Sequence, residues 1–128
     1  MNELERLRRG EAAPILVVDD EEVIRRTLEA VLELDGYNVE TVDRAAVALT
    51  RLRHGEYLLV ITDIRMPGMS GLELHRELRE IRPETPVILI TAYPLEEKPE
   101  AAGFLVKPFD IEAVMETVHC AARTREVP

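Results

Sequence analysis

The run Leu58-Leu59-Val60-Ile61-Thr62-Asp63, followed by Ile64-Arg65-Met66-Pro67-Gly68, constrains the fold of this chain more than any other stretch. It is apolar and β-branched, too short for an ordinary helix and closed by a Pro-Gly turn signal, which predicts a strand buried on both faces. Asp63 then stands as a charge at the tip of a core strand. A carboxylate there needs a cation, hydrogen-bond donors or water around it, so Asp63 is the candidate reactive residue.

The same pattern recurs along the chain. Ile15 to Val18, Asn38 to Val42, Leu58 to Thr62, Pro86 to Ile90 and Phe104 to Val106 all read as strands. Between them, Val23, Ile24, Thr27, Leu28, Val31 and Leu32 predict a helix with a core face, stopped by Gly36. Asp43 is expected to cap a helix carrying Ala45, Ala46, Leu49 and Leu52 that ends at His54-Gly55. Ser70 and Glu73 have capping-box spacing before Leu72, His75, Leu78 and Ile81. Asp110 caps a last helix with Ile111, Val114, Met115 and Val118 facing inward.

Strands and helices that alternate, with continuously apolar strands, imply an α/β fold in which helices cover both faces of a parallel sheet. Right-handed crossovers bring the carboxyl ends of the strands to one edge, where ligands bind in sheets of this kind. Asp19, Asp20, Asp63, Thr91 and Lys107 stand at those ends. Three converging carboxylates repel one another unless a cation holds them ionised, and an all-oxygen site suits Mg²⁺ better than zinc. Lys107 and the Thr91 hydroxyl add a cation and a donor that a phosphoryl group requires. The chemistry expected is attack by the Asp63 carboxylate on phosphorus, giving an aspartyl phosphate that water later cleaves.

Size and charge bound the alternatives. A chain of 128 residues fits one domain, expected over 14–125, with a charged tail at 1–13 that holds Arg6, Arg8 and Arg9 and a short tail at 126–128. With 16 Lys and Arg against 25 Asp and Glu, the net charge of −9 argues against direct nucleic-acid or anionic-membrane binding. The single cysteine, Cys120, excludes an internal disulfide, favours a cytoplasmic setting and reads as a helix packing residue. No apolar run approaches the roughly 20 residues of a membrane span. His54, His75 and His119 lack metal-ligand spacing, and His75 reads as a boundary residue.

On the Asp19-Asp20 pair, Asp63-Ile64-Arg65-Met66-Pro67-Gly68-Met69-Ser70-Gly71, Thr91-Ala92 and Lys107-Pro108-Phe109, the sequence closely resembles the receiver domain of two-component response regulators. The resemblance runs from about Ile15 to the last helix. It implies a doubly wound, flavodoxin-like five-stranded parallel sheet of order 2-1-3-4-5, phosphorylated by a histidine kinase or phosphotransfer protein and passing its state to an effector protein or domain. It also implies Asp63 as phosphoacceptor and Mg²⁺ ligand, Asp20 as a direct Mg²⁺ ligand, Asp19 as one acting partly through water, and the backbone carbonyl of Arg65 as a further ligand. Thr91 would bind the phosphoryl group, Ala92 leave room for it and Lys107 pair with it, with a Lys107-Pro108 bond that is usually cis in the family. Phe104 matches the family's switch aromatic. Arg65 and Tyr93 flank the site at positions that tune phosphoryl lifetime.

One departure stands out. Thr91 to Lys107 spans 16 positions, about one and a half helical turns fewer than receivers use there. Pro94 can begin a helix, but Pro99 inside one costs roughly 3 kcal/mol, so the fourth helix of the family is expected as a single turn or a loop. The standard fourth-helix dimer is then not expected, and an acidic loop around Glu96, Glu97 and Glu100 presents a different surface. The alternative function is a receiver-like protein-binding scaffold whose output is uncoupled from phosphorylation. A phosphatase of the haloacid dehalogenase kind is disfavoured because Arg65 stands where its second Asp belongs.

Overall fold

A computed structural model describes residues 13–93 and 95–126, with side chains to Arg123. The arginine-bearing tail expected at 1–13 therefore lies, up to residue 12, outside the described residues, as do Pro94 and residues 127–128.

Strands β1 (Ile15–Val18), β3 (Leu59–Asp63) and β4 (Val87–Thr91) are buried at every position, which is why each reads as an unbroken apolar run rather than an alternating one. With β2 (Val39–Val42) and β5 (Gly103–Val106) they form one parallel sheet in the order β2-β1-β3-β4-β5. The registers Val18↔Thr62, Asp63↔Ile90 and Thr91↔Val106 bring the carboxyl ends level. That is the doubly wound architecture expected from the sequence.

Side chains of successive strand residues enter opposite cores. Ile15, Val17, Leu59, Ile61, Ile88 and Ile90 pack with α1 (Glu22–Leu34) and α4 (Ile111–Glu126). Leu16, Val18, Val60 and Leu89 pack on the other face with α2 (Ala45–His54) and α3 (Gly71–Ile81). Helix α4 runs through Glu126, the last described residue.

Several local expectations change. Val23 is 75% exposed: at about 100° per residue it lies about 80° beyond Val31, the near edge of the stripe of Ile24, Leu28, Val31 and Leu32. In α2, Ala48 rather than Ala46 faces the core. Asp43 does not cap that helix; Arg44 takes the N-cap position without a side-chain cap bond, and its guanidinium holds Asp43 at 3.2 Å. Cys120 is exposed on α4. His75 is buried rather than at the boundary. The caps at Ser70, whose Oγ accepts from the Glu73 amide, and at Asp110, which accepts from the Ala113 amide, form as expected.

Among the described residues no helix joins β4 to β5. Leu95 and Ala101 of the connecting segment instead fold against the core on the α2/α3 side. This is the short crossover that the spacing and Pro99 predicted.

Candidate functional site

Three connections at the carboxyl edge of the sheet assemble the site. The turn after β1 carries Asp19, Asp20 and Glu21; β3 ends in Asp63; and the turn after β5 carries Lys107, joined to Pro108 by a cis peptide bond. Ligand oxygens of Asp19, Asp20, Glu21 and Asp63 all lie within 4.8 Å of one another.

Asp19 is fully buried and Asp63 nearly so, whereas Asp20 and Glu21 face solvent. One oxygen of Asp19 accepts from the Glu21 amide at 2.8 Å; the other, Oδ2, is buried with no hydrogen-bond partner among the described residues. Burial pushes the Asp19 carboxyl up to about 6, and the charges of Asp63 and Glu21 add to that, while the Glu21 amide and Lys107 pull it back. Asp63 Oδ1 accepts from the Arg65 amide at 3.4 Å, and its Oδ2 faces Lys107 Nζ at 3.3 Å.

Lys107 Nζ is shared. It donates to Glu21 Oε1 at 2.8 Å and to Asp63 Oδ2, and stands 3.7 Å from Asp19 Oδ2. Burial works against its charge, but the Glu21 hydrogen bond and the charges of Asp19 and Asp63 outweigh burial and hold the ammonium above its ordinary value.

An all-oxygen donor set, with a buried carboxylate oxygen that no donor satisfies, fits a hard divalent cation such as Mg²⁺. Four carboxylates against one ammonium leave an excess of negative charge that a dication offsets.

Thr91 ends β4 beside β3, but its hydroxyl is engaged locally: it donates to the Tyr93 carbonyl at 2.6 Å and accepts from the Tyr93 amide at 3.2 Å. Ala92 is exposed, and the Arg65 guanidinium lies 5.7 Å from the Tyr93 ring centroid. Phe104 is half-buried on the α2/α3 core, with Lys98 Nζ 5.3 Å from its ring centroid. An open groove lined by Arg65, Thr91, Tyr93, Leu95 and Glu96 leads away from the site on this side.

Gly71 sets the depth of the site. Its amide donates to the Ile64 carbonyl at 2.9 Å, and a Cβ there would stand 2.1 Å from the Asp63 carbonyl oxygen. Only glycine lets α3 start so close to the end of β3.

The residues expected at the strand ends thus come together, with Thr91 turned toward Tyr93. Glu21 was not anticipated. The signal for it is the run Asp19-Asp20-Glu21-Glu22 itself, whose third acid still belongs to the strand tip, before the first turn of α1.

Residues 15–119 match the response regulator receiver domain family. A transcriptional regulatory protein of Bacillus subtilis, YkoG, is 39% identical over 121 residues, covering 88% of this chain and 52% of its own length. The chain therefore spans about half the length of that regulator. The response regulator receiver protein CpdR of Brucella abortus is 36% identical, and the match covers 81% of this chain and 92% of CpdR. The crystal structure of the Thermotoga maritima response regulator TrrA in complex with Mg²⁺-BeF superimposes with a TM-score of 0.77 at 39% identity, covering 84% of this chain and 96% of that one.

The fold and the sequence make this chain a member of the response regulator receiver domain family, the signalling modules of two-component systems. No helix among the described residues is long and apolar enough to cross a membrane.

Proposed function

We propose that the chain is a phosphoryl-accepting switch, phosphorylated on Asp63 by a histidine kinase or phosphotransfer protein in the presence of Mg²⁺. The observation that carries this reading is Lys107 Nζ held 3.3 Å from Asp63 Oδ2 beside the buried, unsatisfied oxygen of Asp19.

Asp63 attacks phosphorus through a carboxylate oxygen. The new oxygen–phosphorus bond forms as the bond between phosphorus and the donor's nitrogen or oxygen breaks, and the electron pair leaves with the donor. Asp19, Asp20, Asp63 and the Arg65 carbonyl would hold the Mg²⁺, which when bound supplies positive charge next to the phosphoryl oxygens. Lys107 turns its ammonium to one of those oxygens.

The Thr91 hydroxyl gives up the Tyr93 carbonyl and donates to the phosphoryl group, for which the Ala92 methyl leaves room. That movement vacates space beside β5 into which the Phe104 ring can turn, so the switch relies on packing. Pro108 flanks the site beside Lys107. Arg65 and Tyr93, stacked across the mouth, govern how water reaches the mixed anhydride.

The absence of a helix between β4 and β5, among the described residues, favours a second reading in which the domain binds a partner whatever its phosphorylation state. For the same reason the output surface is not the fourth-helix dimer. The test is intact mass after incubation with Mg²⁺ and acetyl phosphate, for the native chain and Asp63→Asn. A Mg²⁺-dependent gain of one phosphoryl group, lost in the variant, supports the switch. No gain, with beryllofluoride also failing to bind, favours the scaffold.

A further inference from the structure

Glu21 stands at the N-cap of α1, a position where Asp, Asn, Ser or Thr normally turns a side-chain oxygen onto the free amides of the first turn. Its carboxylate makes no such bond. Instead Oε1 reaches across the carboxyl edge of the sheet to Lys107, 86 positions away, at 2.8 Å. That contact is shorter than the one Lys107 makes with Asp63 or Asp19. The helix thus lacks a side-chain cap while the carboxylate serves the site.

From this geometry we infer that Glu21 is a positioning residue which competes with Asp63 for Lys107, restraining phosphorylation while strengthening the site's hold on the cation. The inference rests on Asp63 being the phosphoacceptor. Two of the three Lys107 donors are already given to Glu21 and Asp63, and the shorter bond to Glu21 resists turning Nζ toward a phosphoryl oxygen, while the added carboxylate also repels an incoming anionic donor. Toward a divalent cation the same charge acts in the opposite sense, because its oxygen belongs to the cluster within 4.8 Å. Glu21 is exposed, so its carboxylate can swing away into water without leaving a buried charge behind.

Three variants separate the two roles. Glu21→Gln removes the charge and leaves the length. It should weaken Mg²⁺ binding about threefold to tenfold, read by calorimetry without any phosphoryl donor, and yet speed phosphorylation by acetyl phosphate at least about twofold once Mg²⁺ is saturating. Glu21→Asp keeps the charge but is too short to reach Lys107, and its side chain is suited to cap α1. It should bind Mg²⁺ within about twofold of the native chain, melt at a higher temperature and show the same faster phosphorylation. Glu21→Ala should resemble the Gln variant and lack the gain in melting temperature.

The Lys107 ammonium supplies a readout independent of metal and donor. Its ¹⁵N resonance should move in all three variants if Glu21 holds it. A native chain that phosphorylates on Asp63, with all variants reacting at the native rate and the Lys107 resonance unmoved, would overturn the inference and leave the switch reading intact. A native chain that is not phosphorylated removes the reading on which it rests. An unmoved lysine resonance in such a chain refutes the competition as well.

Discussion

His75 donates from Nε2 to the carbonyl of Glu100, 2.7 Å away, and so pins the segment between β4 and β5 to α3. A carbonyl only accepts, so a ring proton sits on Nε2; Nδ1 is buried without a hydrogen-bond partner among the described residues. Arg79, one turn further along α3, donates to the same carbonyl at 3.3 Å and meets the Glu100 carboxylate at 3.6 Å. The segment that replaces a helix therefore has an anchor of its own. His75→Ala removes a buried ring and the hydrogen bond, which should lower stability by about 2–3 kcal/mol in urea titrations. Amide exchange over 95–102 should accelerate more than exchange in β1 or β3. Uniform exchange across the chain would show that the segment is held by other contacts.

Gly71 and Gly68 should respond differently to alanine, for reasons visible in their surroundings. A Cβ at Gly71 meets the backbone of Asp63 and Ile64, which cannot move without shifting the site. Gly71→Ala should therefore cost about 3 kcal/mol or more and weaken Mg²⁺-dependent phosphorylation of what folds. Gly68 has φ +78° and, among the described residues, nothing within 4 Å of its would-be Cβ. There the cost is the left-handed conformation alone, about 1–2 kcal/mol, with phosphorylation retained. Equal destabilisation by the two substitutions would contradict the close approach of α3 to β3.

Thr91 makes both of its side-chain hydrogen bonds to Tyr93, two residues on. Thr91→Val keeps the shape and removes the hydroxyl. Because Tyr93 is 66% exposed, its freed backbone groups can turn to water, so the stability loss should be about 1 kcal/mol or less. The phosphorylated form should suffer far more, since there the hydroxyl that otherwise donates to the Tyr93 carbonyl is needed by the phosphoryl group. Acyl-phosphate lifetime, followed by mass, and the melting temperature of the unmodified chain together test this asymmetry.

The strands were legible because burial on both faces leaves continuous apolar runs, and their tips because Asp19, Asp63, Thr91 and Lys107 interrupt or follow those runs. The short crossover could be read from the Thr91–Lys107 spacing and from Pro99. What escaped depends on reach or phase rather than pattern. Nothing in the sequence aims Glu21 at a lysine 86 positions away, or the Glu100 carbonyl at His75. Val23 fits a helical period equally well on the core stripe or just outside it, and only the packed helix decides. Asp43 was a sound capping choice by residue type, but the helix starts one residue later and Arg44 occupies the cap.

Asp19 should make the stability of the metal-free protein depend on pH. Its folded-state carboxyl lies at about 6, against an ordinary value of 3.8. Below about pH 4 both folded and unfolded chains hold the proton, and burial of the neutral acid carries no charge penalty. As pH rises from there through about 6, the unfolded chain releases its proton more readily than the folded one. Stability is lost over that window, by up to about 2–3 kcal/mol. Other carboxylates also titrate there, so the informative quantity is the difference between the native chain and Asp19→Asn, measured by urea unfolding in chelator from pH 4.5 to 7.5. The variant should gain on the native chain as pH rises. Adding Mg²⁺ at pH 7.5 should then stabilise the native chain and leave Asp19→Asn nearly unchanged, because the cation takes the oxygen that has no donor. A native-minus-variant difference that stays constant across the pH range would mean that Asp19 is solvated as an ordinary carboxylate, against its complete burial in the structure.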